Sequence, residues 1–371
     1  MSTLSGVTST PTLAELRHYA ARRSLGRPDT LESVLASMRY VQADPIRAPA
    51  RAQDLILRPR VRGYRAGDLE RRYPTLDIEE DAFVNYGFVS RELQALMHPR
   101  EFEQAMHIEG EVPGLAGRVL AFVAENGPSH PRDLDAVFGK QATVNYWGGS
   151  SQATTRALDG LHIRGHLRVS RRDNGIKVYA IANPLSVTEG GLDPDARARG
   201  LIHAIVNLYA PVPLSSLTSL TRFLRRSAPN LRGLDRGGLA EIIRDEMAEA
   251  TIDGVRYVWP KAEEAGGDAP TRVTFLAPFD PIAWDRARFE HFHGWPYRFE
   301  AYTPAAKRLR GYYSLPLLWR ERIIGWGNLA VRGTELEADI GFVAERPSSK
   351  VFDRELEAEL TRMRAFLGLP A

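Results

Sequence analysis

The feature that most constrains the fold is an order of helices and strands that occurs twice in the middle of the chain. Residues 112–184 read as three helical segments followed by two short strands, and residues 193–260 read the same way. In the first copy the strands meet at Asp173-Asn174-Gly175, a turn sequence that strongly predicts a two-stranded hairpin. Three helices followed by a hairpin is the order of a winged helix-turn-helix unit. Only the architecture is repeated, because the sequence has no fixed period of the solenoid kind.

The two ends of the chain differ from this middle. In residues 11–110, Thr12 and Glu15 form a capping-box pattern, and Thr30 begins a second amphipathic helix. After a small, polar and Gly-rich linker, strand-like runs alternate with turns and end in one helix. We therefore predict an α+β fold with about three tandem winged helix-turn-helix domains and a C-terminal β-rich domain with a closing helix. The predicted domains are 11–110, 111–190, 191–262 and 271–371.

Composition limits the possible partners and chemistry. The chain has 371 residues, of which 43% are hydrophobic, and a formal net charge of only +3. Any nucleic-acid surface must therefore come from local segregation of charge. The absence of cysteine excludes disulfides, thiolate metal ligands and a cysteine nucleophile. Residues 1–16 lack the pattern of a signal peptide, and no apolar run approaches the roughly 20 residues of a membrane span. We expect a cytoplasmic protein that does not bind membranes.

Charge is segregated in the second segment. Its third helix and hairpin carry many cations and only two acidic residues, Asp159 and Asp173. This distribution suits the neutralisation of DNA phosphates, although some winged helices are protein-interaction scaffolds. His162 and His166 lie four residues apart, but without an HExxH pattern or a third ligand we expect phosphate contacts or surface positions and no metal site. The cations are Arg156, His162, Arg164, His166, Arg168, Arg171, Arg172 and Lys177.

The stretch VQADPIRAPARAQDLIL, residues 41–57, places Gln42 and Asp44 two positions apart, followed by Arg47 and Arg51. One interpretation is structural, since Asp-Pro often begins a turn and Gln is common at surfaces. The other is catalytic. A carboxylate can stabilise an oxocarbenium-like sugar or deprotonate a water, while an amide orients that water and the arginines hold phosphate. The residues alone leave both interpretations open.

A run of six arginines follows between residues 58 and 72. We expect Arg58, Arg60 and Arg62 to lie on a DNA-binding face, where they would contribute to affinity and to its salt dependence. No GxGxxG, GxxxxGK[ST] or GxSxG motif is present, so nucleotide-dependent and esterase-like activities lack support.

The stretch VQADPIRAPARAQDLIL resembles the opening motif of the winged-helix DNA glycosylases of the AlkZ/AlkX (YcaQ) type, whose signature is Gln-apolar-Gln or Gln-apolar-Asp. Gln42-Ala43-Asp44 is similar to the second form. Near the other end, FLAPFDPIAWDRARFEHFHGWPYRFEAYTPAAKRLRGYYSLPLL resembles the family's PFD, WDR, AAKR and GYY elements. The resemblance covers both ends of the chain, with the two repeats between them.

The resemblance implies a C-shaped scaffold of tandem winged helices that hydrolyses the N-glycosidic bond of alkylated bases, including N7-guanine adducts and crosslinks, without metal or cofactor. Asp44 would face the sugar and the water, and Gln42 would orient that water. Lys307 and Arg308 would contact phosphate. The partner would be damaged double-stranded DNA in the cytoplasmic nucleoid, bound by a monomer. The residues expected to line or brace the DNA-facing cleft are Asp280, Trp284, Asp285 and Arg286.

The sequence departs from the family pattern in two places. Tyr86-Gly87-Phe88 stands where the family often has Trp-Ala/Gly-His, and Trp326, Asn328 and Ala330 stand where it tends to have Arg, Asp and Lys. These differences keep a second function open: a non-catalytic DNA-binding protein, such as a regulator or damage sensor, on the same scaffold. A regulator would need a dimer surface and paired half-sites, and could lose Asp44 without consequence.

Overall fold

The computed structural model describes residues 10–26, 29–100, 106–144, 149–183, 193–228, 231 and 236–370; the domain boundary predicted at 190 lies outside them. The described α-helices are α1 (Leu13–Leu25), α2 (Leu31–Met38), α3 (Ala52–Leu57), α4 (Asp68–Arg72), α5 (Arg91–Met97), α6 (His107–Glu111), α7 (Leu115–Asn126), α8 (Pro131–Phe138), α9 (Ala153–Ile163), α10 (Pro194–Tyr209), α11 (Leu214–Ser227), α12 (Arg236–Glu246), α13 (Arg286–His293) and α14 (Lys350–Leu367). The described strands are β1 (Tyr40–Gln42), β2 (Ile78–Ala82), β3 (Tyr86–Ser90), β4 (Ala142–Val144), β5 (Ser150–Gln152), β6 (Leu167–Asp173), β7 (Ile176–Ile181), β8 (Val212–Pro213), β9 (Met247–Ile252), β10 (Val255–Pro260), β11 (Val273–Phe275), β12 (Leu315–Trp319), β13 (Arg322–Arg332) and β14 (Glu335–Phe342).

The first segment combines helices with a small sheet. Helix α1 begins with the predicted capping box, in which Thr12 Oγ1 accepts from the amide of Glu15 at 3.2 Å and the Glu15 carboxylate accepts from the amide of Thr12 at 2.6 Å. The sheet has the order β1-β3-β2 and was not predicted. Gln42 is therefore the last residue of a strand and not part of a helix end or turn.

The two middle segments have the predicted order of elements. Helices α7, α8 and α9 precede the hairpin β6-β7, and helices α10, α11 and α12 precede the hairpin β9-β10. Both hairpins turn through two residues with positive φ: 51° and 86° at Asn174 and Gly175, and 49° and 79° at Asp253 and Gly254. These values suit a type I′ turn, whose twist matches that of the strands it joins.

The C-terminal segment is a four-stranded antiparallel sheet, β11-β12-β13-β14, with α14 packed against it through Phe352, Met363 and Phe366. The predicted strands and closing helix are confirmed. His291 and His293 lie at the end of helix α13.

Residues of the first segment contribute to two apolar cores, one shared with the third segment and one shared with the C-terminal segment. One core joins α1 and Tyr40 to α10–α12 and the hairpin β9-β10. The other joins α2, Val41 and α3 to the C-terminal sheet and α14. Strand β1 therefore lies where the two cores meet, and its side chains alternate between them, as the period of two in a strand requires.

Buried ion pairs fasten the first segment to the C-terminal one. Arg60 donates to both oxygens of Asp280 at 2.7 and 3.0 Å, and Arg58 pairs with Glu359 at 2.5 Å. All four residues are less than 9% exposed, so the expectation that Arg58 and Arg60 face DNA is wrong. A buried cation cannot contact a phosphate backbone unless its partner is abandoned, which is costly.

A strand of buried carboxylates fastens the first segment to the second. Glu79 accepts from Arg168 at 2.8 Å, and Glu80 accepts from Arg172 at 2.8 Å. Both arginines belong to the hairpin that was expected to contact DNA, but in this structure they pair with carboxylates of the first segment. His162, which was expected to contact phosphate or lie on the surface, is buried with Nε2 2.8 Å from the carbonyl oxygen of Glu80.

The basic groups around Asp81 explain why a charged carboxylate is tolerated in the protein interior. Burial opposes its ionisation, but the charge of Arg100 at 2.8 Å and a hydrogen bond with His98 at 2.9 Å outweigh burial and lower the pKa of Asp81.

Within the described residues, no helix is long and apolar enough to cross a membrane.

We predict that Arg60→Ala destabilises the protein by about 3–5 kcal/mol, because it leaves the carboxylate of Asp280 buried and unpaired. Urea unfolding measures this change. Arg62→Ala is the matched control: it removes an exposed arginine two residues away and should change stability by less than about 0.5 kcal/mol. Equal unfolding midpoints for the two variants would contradict the assigned ion pair.

Candidate active site

Strand β1 and the loop after it position Gln42 and Asp44. Gln42 is paired with Gly87 of β3, and the amide of Ala43 donates to the carbonyl oxygen of Tyr86 at 3.1 Å. The amide of Asp44 lies 3.4 Å from Gln53 Oε1, and Asp44 Oδ1 accepts from the amide of Ile46 at 2.9 Å. The two predicted catalytic residues therefore stand at the end of a strand, with their backbone held on both sides.

Gln42 is 8% exposed, and its side-chain oxygen Oε1 is buried with no hydrogen-bond partner among the described residues. An unsatisfied buried acceptor costs about 1–3 kcal/mol. A buried polar atom without a partner therefore needs an explanation, and a catalytic role is one. The amide oxygen is free to accept a hydrogen bond from a water or a substrate.

Asp44 is half-buried, and no ion pair to its carboxylate is found in the described parts of the chain. Burial raises the pKa of Asp44, and the hydrogen bond from the amide of Ile46 lowers it in part. The expected neighbour Arg51 instead pairs with Glu70, and its own side chain is only 15% exposed. The Asp44 carboxylate therefore has no cationic partner in the described residues and can stabilise a developing positive charge.

Tyr313 brings the C-terminal segment to this site. Its ring is buried, and its hydroxyl has no partner among the described groups. Burial raises the pKa of Tyr313, and the nearby charge of Asp44 adds to that rise. Phe299 packs edge-on against Tyr313, with ring centroids 5.3 Å apart. Tyr313 and Phe299 pack in the same apolar core as Ala43, the residue before Asp44, although they belong to a segment more than 250 residues away.

The arginines predicted to hold phosphate differ in how far their side chains are exposed to solvent. Arg47 and Arg62 are exposed and remain available to an anion. Arg51 is mostly buried and paired, which disagrees with the expectation that it pins phosphate beside Asp44. Burial and the neighbouring charges of Arg47 and Arg172 lower the pKa of Arg51. A positive region therefore exists here, but Arg47 is its accessible member.

The WDR element braces the structure from inside. Asp285 caps α13 by accepting from the amides of Ala287 and Arg288, each at 3.1 Å. Arg286 donates to two backbone carbonyl groups at 2.6 and 3.0 Å and lies over the ring of Tyr297. Asp285 and Arg286 were expected to line or brace the DNA-facing cleft, and these internal contacts fit the bracing role. Trp284 is half-buried, with its ring 5.1 Å from that of Tyr209.

Lys307 is exposed, and Arg308 is partly exposed above the ring of Tyr312 at 5.0 Å. Both side chains reach the surface, and their contact with phosphate stays a prediction. Sequence reasoning missed Tyr313 and the carboxylates of β2. The GYY element quoted above contains Tyr313, whereas acidic residues in a strand-like stretch give no sign that they are buried.

The described residues contain no group of three His, Asp or Glu side chains arranged as metal ligands. The chemistry that the site offers comes from an unpaired carboxylate, an unsatisfied amide oxygen and a buried tyrosine hydroxyl. Together they can polarise a water and stabilise a positive charge near the surface.

Comparison with known proteins identifies the family. The model of the AlkZ-like DNA glycosylase family matches residues 35–366. The chain belongs to the AlkZ-like DNA glycosylase family. The solved structure of Streptomyces sahachiroi DNA glycosylase AlkZ matches with a TM-score of 0.61 and 16% sequence identity, covering 97% of this chain and 98% of that chain. At this identity the structural match supports a shared mixed α/β fold. Asp44 and Tyr313 both lie inside the matched region.

We predict that Gly87→Ala disturbs the site of this AlkZ-like chain. An added Cβ would lie 2.4 Å from the carbonyl oxygen of Val41 and 3.1 Å from the Cα of Gln42, so β1 must move. Overpacking of this kind costs about 1–3 kcal/mol. A thermal unfolding scan should show a lower midpoint for Gly87→Ala. Gly110→Ala is the control, since its Cβ would meet no atom within 4 Å; similar midpoints for both variants would contradict the tight pairing of β1 with β3.

Proposed function

We propose that this protein is a DNA repair glycosylase that hydrolyses the N-glycosidic bond of alkylated bases of the N7-guanine type and unhooks interstrand crosslinks built on such bases. The observation that carries the proposal is the unpaired, half-buried Asp44 carboxylate two residues after Gln42, whose buried amide oxygen is unsatisfied. Family membership supports DNA repair glycosylase activity. Gln42-Ala43-Asp44 supports the Gln-apolar-Asp form of the active site.

The chemistry follows from charge. An alkyl group on N7 makes the guanine cationic, so the base departs as a neutral molecule with the electron pair of the C1′–N9 bond. The sugar left behind resembles an oxocarbenium ion, which the Asp44 carboxylate stabilises. Asp44 then takes the proton of the attacking water, which Gln42 orients. Water supplies the oxygen of the abasic sugar, and no metal or cofactor is required for this monofunctional reaction.

DNA reaches the site along a surface built from several segments. We propose that the two middle segments and part of the first are winged-helix domains in a C-shaped scaffold, with the boundaries predicted from sequence. The exposed side chains Arg47, Arg62, Lys307 and Arg308 contact phosphates of a duplex bound by one monomer. A nucleoid-associated location in the cytoplasm suits this substrate.

A second candidate is a DNA-binding protein that does not cleave. What favours it is the position of the sequence departures: Phe88, paired with Val41 of β1, stands where the family often carries His, and Tyr86, whose carbonyl oxygen accepts from the amide of Ala43, stands where it often carries Trp. The Tyr86 hydroxyl donates to Glu80 at 2.9 Å and so supports the interdomain contact instead. Base release from mono-adducted and crosslinked duplexes separates the candidates: a glycosylase produces free base and an abasic site, whereas a sensor binds and leaves both duplexes unchanged.

We predict that Asp44→Asn slows release of N7-methylguanine from duplex DNA by roughly a hundredfold or more, the scale of one lost acid–base group. DNA affinity should change little, because the substitution removes a negative charge and no phosphate contact. Asp77→Asn is the control, since the Asp77 side chain is highly exposed. Unchanged base release in Asp44→Asn would refute the catalytic role.

We also predict a pH dependence. The reaction requires ionised Asp44, and burial raises the pKa of Asp44. As the pH is lowered, the rate should therefore begin to fall at a pH above the ordinary Asp pKa of about 3.9. Rates corrected for spontaneous base loss give the profile. The residual activity of Asp44→Asn should lack this acidic limb; a wild-type rate that shows no fall between neutral pH and pH 4 would contradict the assignment.

A further inference from the structure

The loop of residues 300–312 presents large apolar side chains to solvent. Tyr302 is 81% exposed and Leu309 is 78% exposed. A single exposed leucine is ordinary on a protein surface and by itself indicates nothing. The 300–312 loop is different because its backbone is held rigidly around the exposed groups.

Glu300 holds the apex of the loop from below. Its side chain is buried, and its carboxylate accepts from three successive amides: Leu309 at 3.0 Å, Arg310 at 2.8 Å and Gly311 at 3.3 Å. Burial raises the pKa of Glu300, but these amide hydrogen bonds outweigh it and lower the pKa. The carboxylate therefore stays charged and keeps the apex in one conformation.

The loop is also fastened to strand β13. Asn328 Nδ2 donates to the carbonyl oxygen of Arg310 at 2.7 Å. The Arg310 guanidinium lies over the rings of Trp295 and Trp326, at 4.9 and 5.4 Å from their centroids. Trp326 and Asn328 are two of the positions at which this chain departs from the family pattern. Here those positions support the loop.

The charges of the loop point to a polyanion. Residues 301–312 contain three cations, Lys307, Arg308 and Arg310, and no Asp or Glu. Arg308 is held by a hydrogen bond to the carbonyl oxygen of Thr303 at 2.8 Å. A rigid apolar tip between cations suits a partner with a negative exterior and a stacked apolar interior, and duplex DNA has both.

An aromatic chain joins the loop to the candidate active site. The Tyr302 ring packs edge-on against Phe299 at 5.9 Å, and Phe299 packs edge-on against Tyr313 at 5.3 Å. Phe299 and Tyr313 pack in the same apolar core as Ala43, the residue before Asp44. Packed side chains therefore join the loop to the segment that carries the carboxylate.

We propose that Leu309 is a wedge that enters the base stack of bound duplex DNA beside the damaged nucleotide and holds that nucleotide unstacked near Asp44. Apolar wedges between base steps are a known means of opening a duplex, and removing a base from the stack costs a few kcal/mol. The inference rests on the proposed DNA substrate and adds a residue that prepares the substrate without touching the reacting atoms.

The test compares double-stranded with single-stranded DNA. Leu309→Ala should slow release of N7-methylguanine from a duplex by about tenfold or more, and from a single strand by less than about threefold, because a single strand needs less unstacking. Val351→Ala, which trims a side chain 42% exposed on α14, should change neither rate. Thermal unfolding confirms that the variants fold.

A second readout does not require catalysis. A duplex with 2-aminopurine beside the lesion should become brighter when wild-type protein binds, and this increase should be lost with Leu309→Ala at saturating protein. Equal slowing on both DNA forms, or no slowing, overturns the wedge while leaving the glycosylase proposal intact. If wild type releases no base but still brightens the duplex through Leu309, the wedge stands and the glycosylase proposal fails. Wild-type protein that leaves the fluorescence unchanged overturns the wedge.

Discussion

The structure depends on the buried ion pairs between the first segment and the C-terminal one. Arg60 with Asp280, and Arg58 with Glu359, join side chains 220 and 301 positions apart in sequence. Glu359 also accepts from the backbone amide of Phe275 at 2.8 Å, so α14, β11 and the end of α3 share one polar centre. This attachment helps to hold the C-terminal segment, which carries Tyr313 and the 300–312 loop, against the segment that carries Asp44. Replacement of such pairs by apolar residues is often tolerated, whereas loss of one partner is not.

The acidic strand β2 has the same function on the other side of the first segment. Glu79, Glu80 and Asp81 are each buried and each meet a basic side chain. The hairpin of the second segment is thereby oriented by its own arginines. The two attachments leave β1 between them, and the candidate site lies at its end. An unpaired carboxylate at Asp44 contrasts with the paired carboxylates nearby, and that contrast is the strongest physical sign of function.

Local features of the sequence predicted local structure well. The Asn174-Gly175 turn, the Thr12 capping box and the C-terminal strands each depend on neighbouring residues, and each is present. Predictions that depend on contacts between residues distant in sequence were less successful. Arg58 and Arg60 were expected on a DNA face because nothing near them in sequence reveals that Glu359 and Asp280 pack against them. Gln42 and Asp44 could be chosen by chemical type and family resemblance, but burial and the missing ion-pair partner required the fold.

In the proposed reaction, the Asp44 carboxylate stabilises positive charge on a deoxyribose held in duplex DNA. Binding of two abasic-site analogues tests this claim most directly: one with a cationic nitrogen in the sugar ring and one with a neutral tetrahydrofuran ring. We expect wild-type protein to bind the cationic analogue at least about a hundredfold more tightly, as transition-state mimics do, and Asp44→Asn to lose most of that preference. Equal affinity of wild-type protein for the two duplexes would contradict the account.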